Sequence, residues 1–258
     1  MVDPTHRFSD RVADYCRYRP GYPGALVDYL RQHCGLSSES AIADVGSGTG
    51  LLTQLFLEHG NPVVGIEPNP VMRSAGEHQL AHYGQFTSSG GRAEATGLAA
   101  DSVDLIVVGQ AFHWFKPTTT RLEFERILRP SGWLVLLWNE RDLTDPFQQG
   151  YEALLQNYAP DYASVRHRRR QTLEQLRPFF APGPVHQTCF DLVQPRDFEG
   201  LQGRLMSCSY APKTAHLAHE PMIVHLKNLF QQYQRQGRID FCYQTQVYTG
   251  QLHPGPKS

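Results

Sequence analysis

Ile42-Ala43-Asp44-Val45-Gly46-Ser47-Gly48-Thr49-Gly50 runs directly into Leu51, Leu52, Leu55 and Phe56. Ala41 to Val45 reads as the end of a buried strand. The three leucines and Phe56 recur at helical spacing, so the segment is strand, glycine-rich turn, helix. Glycine in such a turn lets a ligand approach backbone that a Cβ would block. The free N–H groups of the helix start then point at that ligand. The turn predicts a nucleotide-like cofactor at the carboxyl end of a parallel sheet.

The spacing of the glycines separates two cofactor classes. A dinucleotide fingerprint is G-x-G-x-x-G. Here the glycines stand at 46, 48 and 50, and Leu51 occupies the place of the third glycine of that fingerprint. Asp44 precedes the first glycine by two positions, and the second strand, Pro62 to Ile66, ends in Glu67. A carboxylate there can accept hydrogen bonds from both hydroxyls of a ribose. The pattern D-x-G-x-G-x-G, followed by a strand ending in Glu, resembles the class I S-adenosylmethionine (SAM)-dependent methyltransferases. The competing reading is a tight βα turn in an unrelated α/β protein.

At 258 residues the chain can bury a sizeable core. A net charge of −1 gives no global field to attract nucleic acid or a membrane. Cys16, Cys34, Cys189, Cys208 and Cys242 are scattered with no C-x-x-C pair. They read as reduced thiols of a cytoplasmic protein, not as a disulfide framework or zinc site. Met1 to Arg7 show no apolar signal-peptide region, and the apolar runs are too short to span a bilayer. No metal site is expected, and monomer and homodimer are both open.

Around the turn the chain alternates. A polar, aromatic and basic arm containing Phe8 and Tyr15 has a short helix around Arg11 to Cys16, and a helix follows over 24–34. Helices are expected at 50–59, from Pro70 to about His82, and from Leu122 to Leu128, the last stopped by Pro130. Strands are expected at 62–67, weakly near Gln85 to Phe86, at Asp104 to Gly109 and at Trp133 to Trp138, with Ser131-Gly132 turning the chain into the last. The apolar run at 104–109 is that of a strand covered on both faces. Later, Pro146 to Tyr158, Thr172 to Phe179, 197–209 and 216–235 read as helices, and Val185 to Val193 and Ile239 to Leu252 as strands. The basic run Arg166-His167-Arg168-Arg169-Arg170 lies between two of these helices and reads as a solvated face or an anion site. The expected fold is α/β: a doubly wound, Rossmann-like, seven-stranded sheet, mostly parallel with an antiparallel C-terminal strand. An N-terminal arm and a helical cap complete it. The expected organisation is a single domain over 1–258, with the arm and first helix at 1–34, the SAM-binding core at 35–140, and cap segments and final strands at 141–258.

The resemblance is specific in four places. These are the turn at 44–50; Glu67 with Pro68 and Met72; Gly91-Arg92-Ala93-Glu94 ahead of Asp101 to Leu105; and Gln110-Ala111-Phe112-His113-Trp114-Phe115. The last looks like the small-molecule branch that includes trans-aconitate methyltransferase, and so does the arm Tyr15-x-x-Tyr18-Arg19-Pro20-x-Tyr22-Pro23. The resemblance implies SAM as cofactor, with S-adenosylhomocysteine as product. The implied cofactor residues are Arg19, Asp44, Gly46, Ser47, Gly48, Glu67, Pro68, Met72, Ala93, Glu94, Gln110 and Ala111. Tyr18, Tyr22, His113 and Trp114 are the candidates for the substrate side.

Each residue has a plainer alternative. Asp44 either faces the methionine amino group or caps the turn. Glu67 binds ribose or ends its strand in solvent. Glu94 meets the adenine amino group, with the Ala93 N–H on a ring nitrogen, or is a surface acid. Arg19 pairs with a carboxylate of SAM or substrate, or makes a structural ion pair. Trp114 touches ligand or packs. His113 is a catalytic base or a structural histidine. Tyr15, Tyr18 and Tyr22 wall the site or pack the arm.

The implied reaction is in-line SN2 displacement at the sulfonium methyl, with a small and carboxylate-bearing molecule as acceptor. A carboxylate nucleophile needs no base; a hydroxyl or amine would use His113 or a tyrosine. The rival readings are a catalytically silent SAM-binding or interaction protein, a nucleic-acid methyltransferase and an NAD-dependent oxidoreductase. The second is weakened by Gly109-Gln110-Ala111-Phe112 in place of an Asn-Pro-Pro-Tyr signature, and the third by Leu51.

Overall fold

Alternation within buried strands generates this architecture. The computed structural model describes residues 12–169 and 171–253. Helices α1 (Val12–Tyr18) and α2 (Ala25–Cys34) precede β1 (Ile42–Val45), α3 (Leu51–Glu58), β2 (Val63–Ile66), α4 (Pro70–Leu80), β3 (Phe86–Ser89), β4 (Val103–Gly109), α5 (Pro117–Ile127) and β5 (Leu128–Arg141). Then come α6 (Pro146–Tyr158), α7 (Tyr162–Arg169), α8 (Leu173–Phe180), β6 (Val185–Arg196), α9 (Phe198–Met206), α10 (His219–Tyr233) and β7 (Ile239–Gly250).

The strands form one seven-stranded sheet in the order β3-β2-β1-β4-β5-β7-β6. The first five are parallel, and β7 lies antiparallel between β5 and β6. This is the expected sheet. Strand order reverses between β1 and β4, which opens a crevice at their carboxyl ends.

Side chains of β4 and β5 divide between the two faces with a period of two. Ile106, Val108, Leu134 and Leu136 pack with Phe124 and Ile127 of α5 and Phe180 of α8. Leu105, Val107, Val135 and Leu137 pack with Leu26 and Leu30 of α2 and Phe56 of α3. A third core gathers α6, α7, α9 and α10 on the Ile239, Phe241 and Tyr243 end of β7.

Several boundaries differ from expectation. α5 begins at Pro117, five residues ahead of Leu122, because a proline is readily accommodated in the first helical turn. Ser131-Gly132 lies within β5, where a register shift opposite Val103 to Leu105 absorbs the irregularity and Ser131 takes φ 70°. Residues 166–169 of the basic run fall on α7, a helix that its periodicity did not announce. The side chains of 166–169, residue 170, Phe8 and the rest of 1–11 lie outside the described residues.

Phe124 is fully buried and meets Phe115 and Phe179 edge-on at 6.4 and 6.3 Å. Phe124→Ala is expected to lower unfolding free energy by about 3–5 kcal/mol in urea denaturation.

Candidate active site

The turn after β1 has no room for a side chain at Gly46 or Gly50. Gly46, Gly48 and Gly50 have φ of 76°, 59° and 87°. A Cβ on Gly46 would lie 2.5 Å from the Ala111 Cβ, and one on Gly50 2.5 Å from Leu80 Cδ1. The turn thus sits directly against the segment following β4 and against α4. Gly46 N–H and Ser47 N–H donate to the Ile66 carbonyl at 2.8 and 3.2 Å, tying the turn to β2.

Glu67 follows β2 and clamps the turn from the other side. Its Oε2 accepts from Gly48 N–H at 3.0 Å and its Oε1 from Asn69 N–H at 2.8 Å. Burial pushes its pKa up, while the Asn69 and Gly48 amides and Arg73 pull it back down. Asn69 caps α4 by accepting from Val71 and Met72 N–H, which sets Pro68 and Met72 in the cavity wall. Arg92 and Ala95 form a bridge that presents Ala93 and Glu94 to the same space, and Glu94 Oε1 accepts from Lys116 N–H at 2.9 Å. These walls enclose about 530 Å³, completed by Tyr15, Arg19, Gln110, Ala111 and Trp114.

A smaller hollow of about 80 Å³ adjoins it, lined by Asp44, Ser47, Arg19, Tyr22 and Gln110. Asp44 is 1 % exposed. Its Oδ2 accepts from the Thr53 hydroxyl at 2.6 Å, and its buried Oδ1 has no hydrogen-bond partner among the described residues. Burial raises its pKa to about 7 against the Thr53 hydrogen bond. The Tyr22 hydroxyl rests on Gly109, where a Cβ would collide with it. Burial holds that phenol well above its ordinary value, so at neutral pH it is a donor and a poor base. Arg19 lies 4.8 Å over the Tyr15 ring and donates to the Ser207 carbonyl at 2.9 Å. Gln110 adopts φ 60° at the carboxyl end of β4, an uncommon conformation for a side-chain-bearing residue.

The fold therefore brings fourteen of the sixteen residues singled out in the sequence to these two hollows. Tyr18 goes elsewhere: its ring covers Gly203 of α9 and its hydroxyl donates to Glu199 at 3.2 Å. His113 lines neither hollow. A 3-10 turn over Phe112–Trp114 sends Phe112 to the core and Trp114 to the cavity, and leaves the His113 ring beside that of Trp114. Asn69, Thr119, Asn139 and Arg204 also reach the site. Only Asn69 carried a sequence signal, an Asn-Pro pair that reads as a helix cap.

Residues 43–136 match a family described as methyltransferase domain. An uncharacterized methyltransferase-like protein of Schizosaccharomyces pombe is 27 % identical over 254 residues, 96 % of each chain. An uncharacterized methyltransferase of Mycobacterium tuberculosis is 37 % identical over 140 residues, 54 % of this chain and 55 % of its own length. The fold matches an Anaeromyxobacter dehalogenans protein provisionally named a type II methyltransferase, with TM-score 0.68 at 18 % identity over 92 % of this chain and 99 % of that one. It also matches Haemonchus contortus phosphoethanolamine N-methyltransferase 2, solved with SAM, with TM-score 0.56 at 15 % identity over 96 % of this chain and 58 % of that one. Residues 43–136 thus resemble a methyltransferase domain, and the chain shares the fold of solved proteins named as methyltransferases.

Asp44 generates a test of the site's electrostatics. Its unfolded carboxyl titrates near 3.8 and its folded one near 7, so the folded state holds the extra proton between them and stability falls as pH rises through that window. Asp44→Asn is expected to raise ligand-free stability at pH 7 by about 2–4 kcal/mol, read from denaturation at pH 4 and pH 7, with little change at pH 4.

Proposed function

We propose that this enzyme transfers a methyl group from SAM to a small-molecule acceptor, and that the two hollows hold the cofactor. The observation that carries the reading is the buried Oδ1 of Asp44, unpartnered among the described residues, beside the glycine turn. A cationic amino group there would satisfy it and draw its proton off. The remaining residues fit the same molecule. Glu67 keeps lone pairs free for two ribose hydroxyls while its amide partners fix it in place. Glu94 and the Ala93 backbone suit an adenine edge, and Met72 and Pro68 provide apolar wall against the ring. Arg19 carries a buried Nε without a partner among the described residues, which suits the methionine carboxylate.

When bound, SAM supplies an activated methyl on a positive sulfur, so the protein's task is alignment and exclusion of water. Tyr15 and Arg19 from the arm, with Trp114 and Gln110 from the segment after β4, close the groove around that end. No general base is required if the acceptor presents a carboxylate. Two features favour a small acceptor over a flipped base: the enclosed site, and the net charge of −1.

Calorimetric titration with SAM, using NADH as control, is expected to give saturable SAM binding and none for NADH. Glu67→Ala should weaken SAM by at least about tenfold through the loss of charged hydrogen bonds. Equal or tighter binding of NADH would overturn the reading. His113→Ala is expected to keep turnover within about twofold, since a base removed from the chemistry would cost about a hundredfold or more.

A further inference from the structure

Past the end of β4 the sheet builds a second cavity, of about 350 Å³. Gly109 ends β4 opposite Leu137, but β5 continues to Arg141 and pairs there with Tyr243 of β7. The extension carries Asn139 and Arg141 out beside α6, α7 and α9. Gln110, Asn139 and Arg204 line both this cavity and the hollow that holds Asp44, so the two adjoin.

Two buried or half-buried arginines, Arg141 and Arg204, reach this cavity. Arg141 is answered by Glu152 in an ion pair and by the Tyr162 hydroxyl. Arg204 is 6 % exposed, and the hydrogen-bond partners of its guanidinium among the described residues are neutral. Its Nε donates to the Tyr243 hydroxyl at 2.8 Å and its Nη1 to Cys208 Sγ at 2.9 Å, and it lies 5.9 Å from the Phe241 and Tyr243 ring centres. A guanidinium does not deprotonate, and a buried charge calls for an opposite one. The buried Nε of Arg141 is a further donor without an acceptor among the described residues. The mouth has the opposite character. Glu140 is exposed there, and the Asp142 carboxylate is held by Thr144 N–H and hydroxyl at 2.9 and 2.7 Å. The Asp142 carboxylate repels a second negative charge on a ligand.

We propose that this cavity is the acceptor pocket and that Arg204 binds a single carboxylate of the acceptor, with Arg141 Nε as a second donor. The inference rests on the methyl-transfer reading above. The ligand class is a small monocarboxylic acid, not a polycarboxylate or a phosphate monoester. Trp138, Tyr162, Tyr210 and Tyr243 provide flat walls that suit an unsaturated or aromatic skeleton.

The test is calorimetry on the full chain with S-adenosylhomocysteine present. The probes are propionate and phenylacetate, their amides, phenyl phosphate and citrate. At least one acid is expected to bind about tenfold or more tighter than its amide, with phenyl phosphate and citrate weaker. Arg204→Met should abolish the preference for acid over amide. If that variant does not fold, Arg204→Lys keeps the charge but loses the planar fork, and should reduce the preference. Equal binding of acid and amide, a preference that survives the substitution, or tighter binding of phenyl phosphate would overturn the proposal. So would loss of SAM affinity with acid binding intact, which would assign Arg204 to the methionine carboxylate. Wild-type protein that binds acids but not SAM would instead overturn the cofactor reading.

Discussion

The close approach of bare backbone at Gly46 and Gly50 is the constraint on which the rest of the site hangs. With no Cβ in the way, the turn lies against Ala111 on one side and Leu80 on the other. That contact sets how near the carboxyl ends of β1 and β4 come to each other. Glu67 then fixes the turn by accepting from Gly48 N–H. A single carboxylate thereby shapes the loop and faces the space the loop encloses. A bulkier residue at Gly46 would have to displace Ala111, and with it the backbone that presents Gln110 and Trp114 to the cavity.

Charge is arranged around this groove against the interest of the empty fold. Asp44 is a buried carboxylate and Glu67 a half-buried one, and desolvation raises the pKa of both. Arg204 is a buried cation whose partners are neutral among the described residues. Burial of a charge costs stability unless it is answered, and a ligand group of opposite charge would answer each of these. Stability given up in this way is characteristic of binding sites, where preorganised polar groups wait for a partner. The positive φ of Gln110, at the junction of the cavities, is local strain of the same kind.

The segment after α1 and the elements around α9 meet beside the site. Arg19 donates to Ser207, and Arg196 donates to the Tyr18 carbonyl at 2.8 Å. The Tyr18 ring lies on Gly203 of α9. The arm and α9 therefore seat each other, and Tyr15 and Arg19 are carried into the groove as a consequence. Tyr18 serves that seating rather than the cavity wall.

By itself the sequence determined the strand–turn–helix at 42–58, the alternation of strands and helices to 138, and the place of Glu67 and Asp44 relative to the glycines. These are legible because a turn with positive φ, a strand buried on both faces and a carboxylate at a strand end each leave a local mark in residue type and spacing. Only the tertiary structure decided that Arg141 and Arg204, from β5 and α9, share one cavity with Glu152 and Tyr162. Only the tertiary structure decided, too, that Tyr18 and His113 turn away from the hollows while Tyr22 and Trp114 turn toward them. Neighbouring residues of one arm or one tight turn look alike in sequence, and packing against distant elements separates them. A buried arginine in an amphipathic helix resembles a surface one until the fold shows what surrounds it.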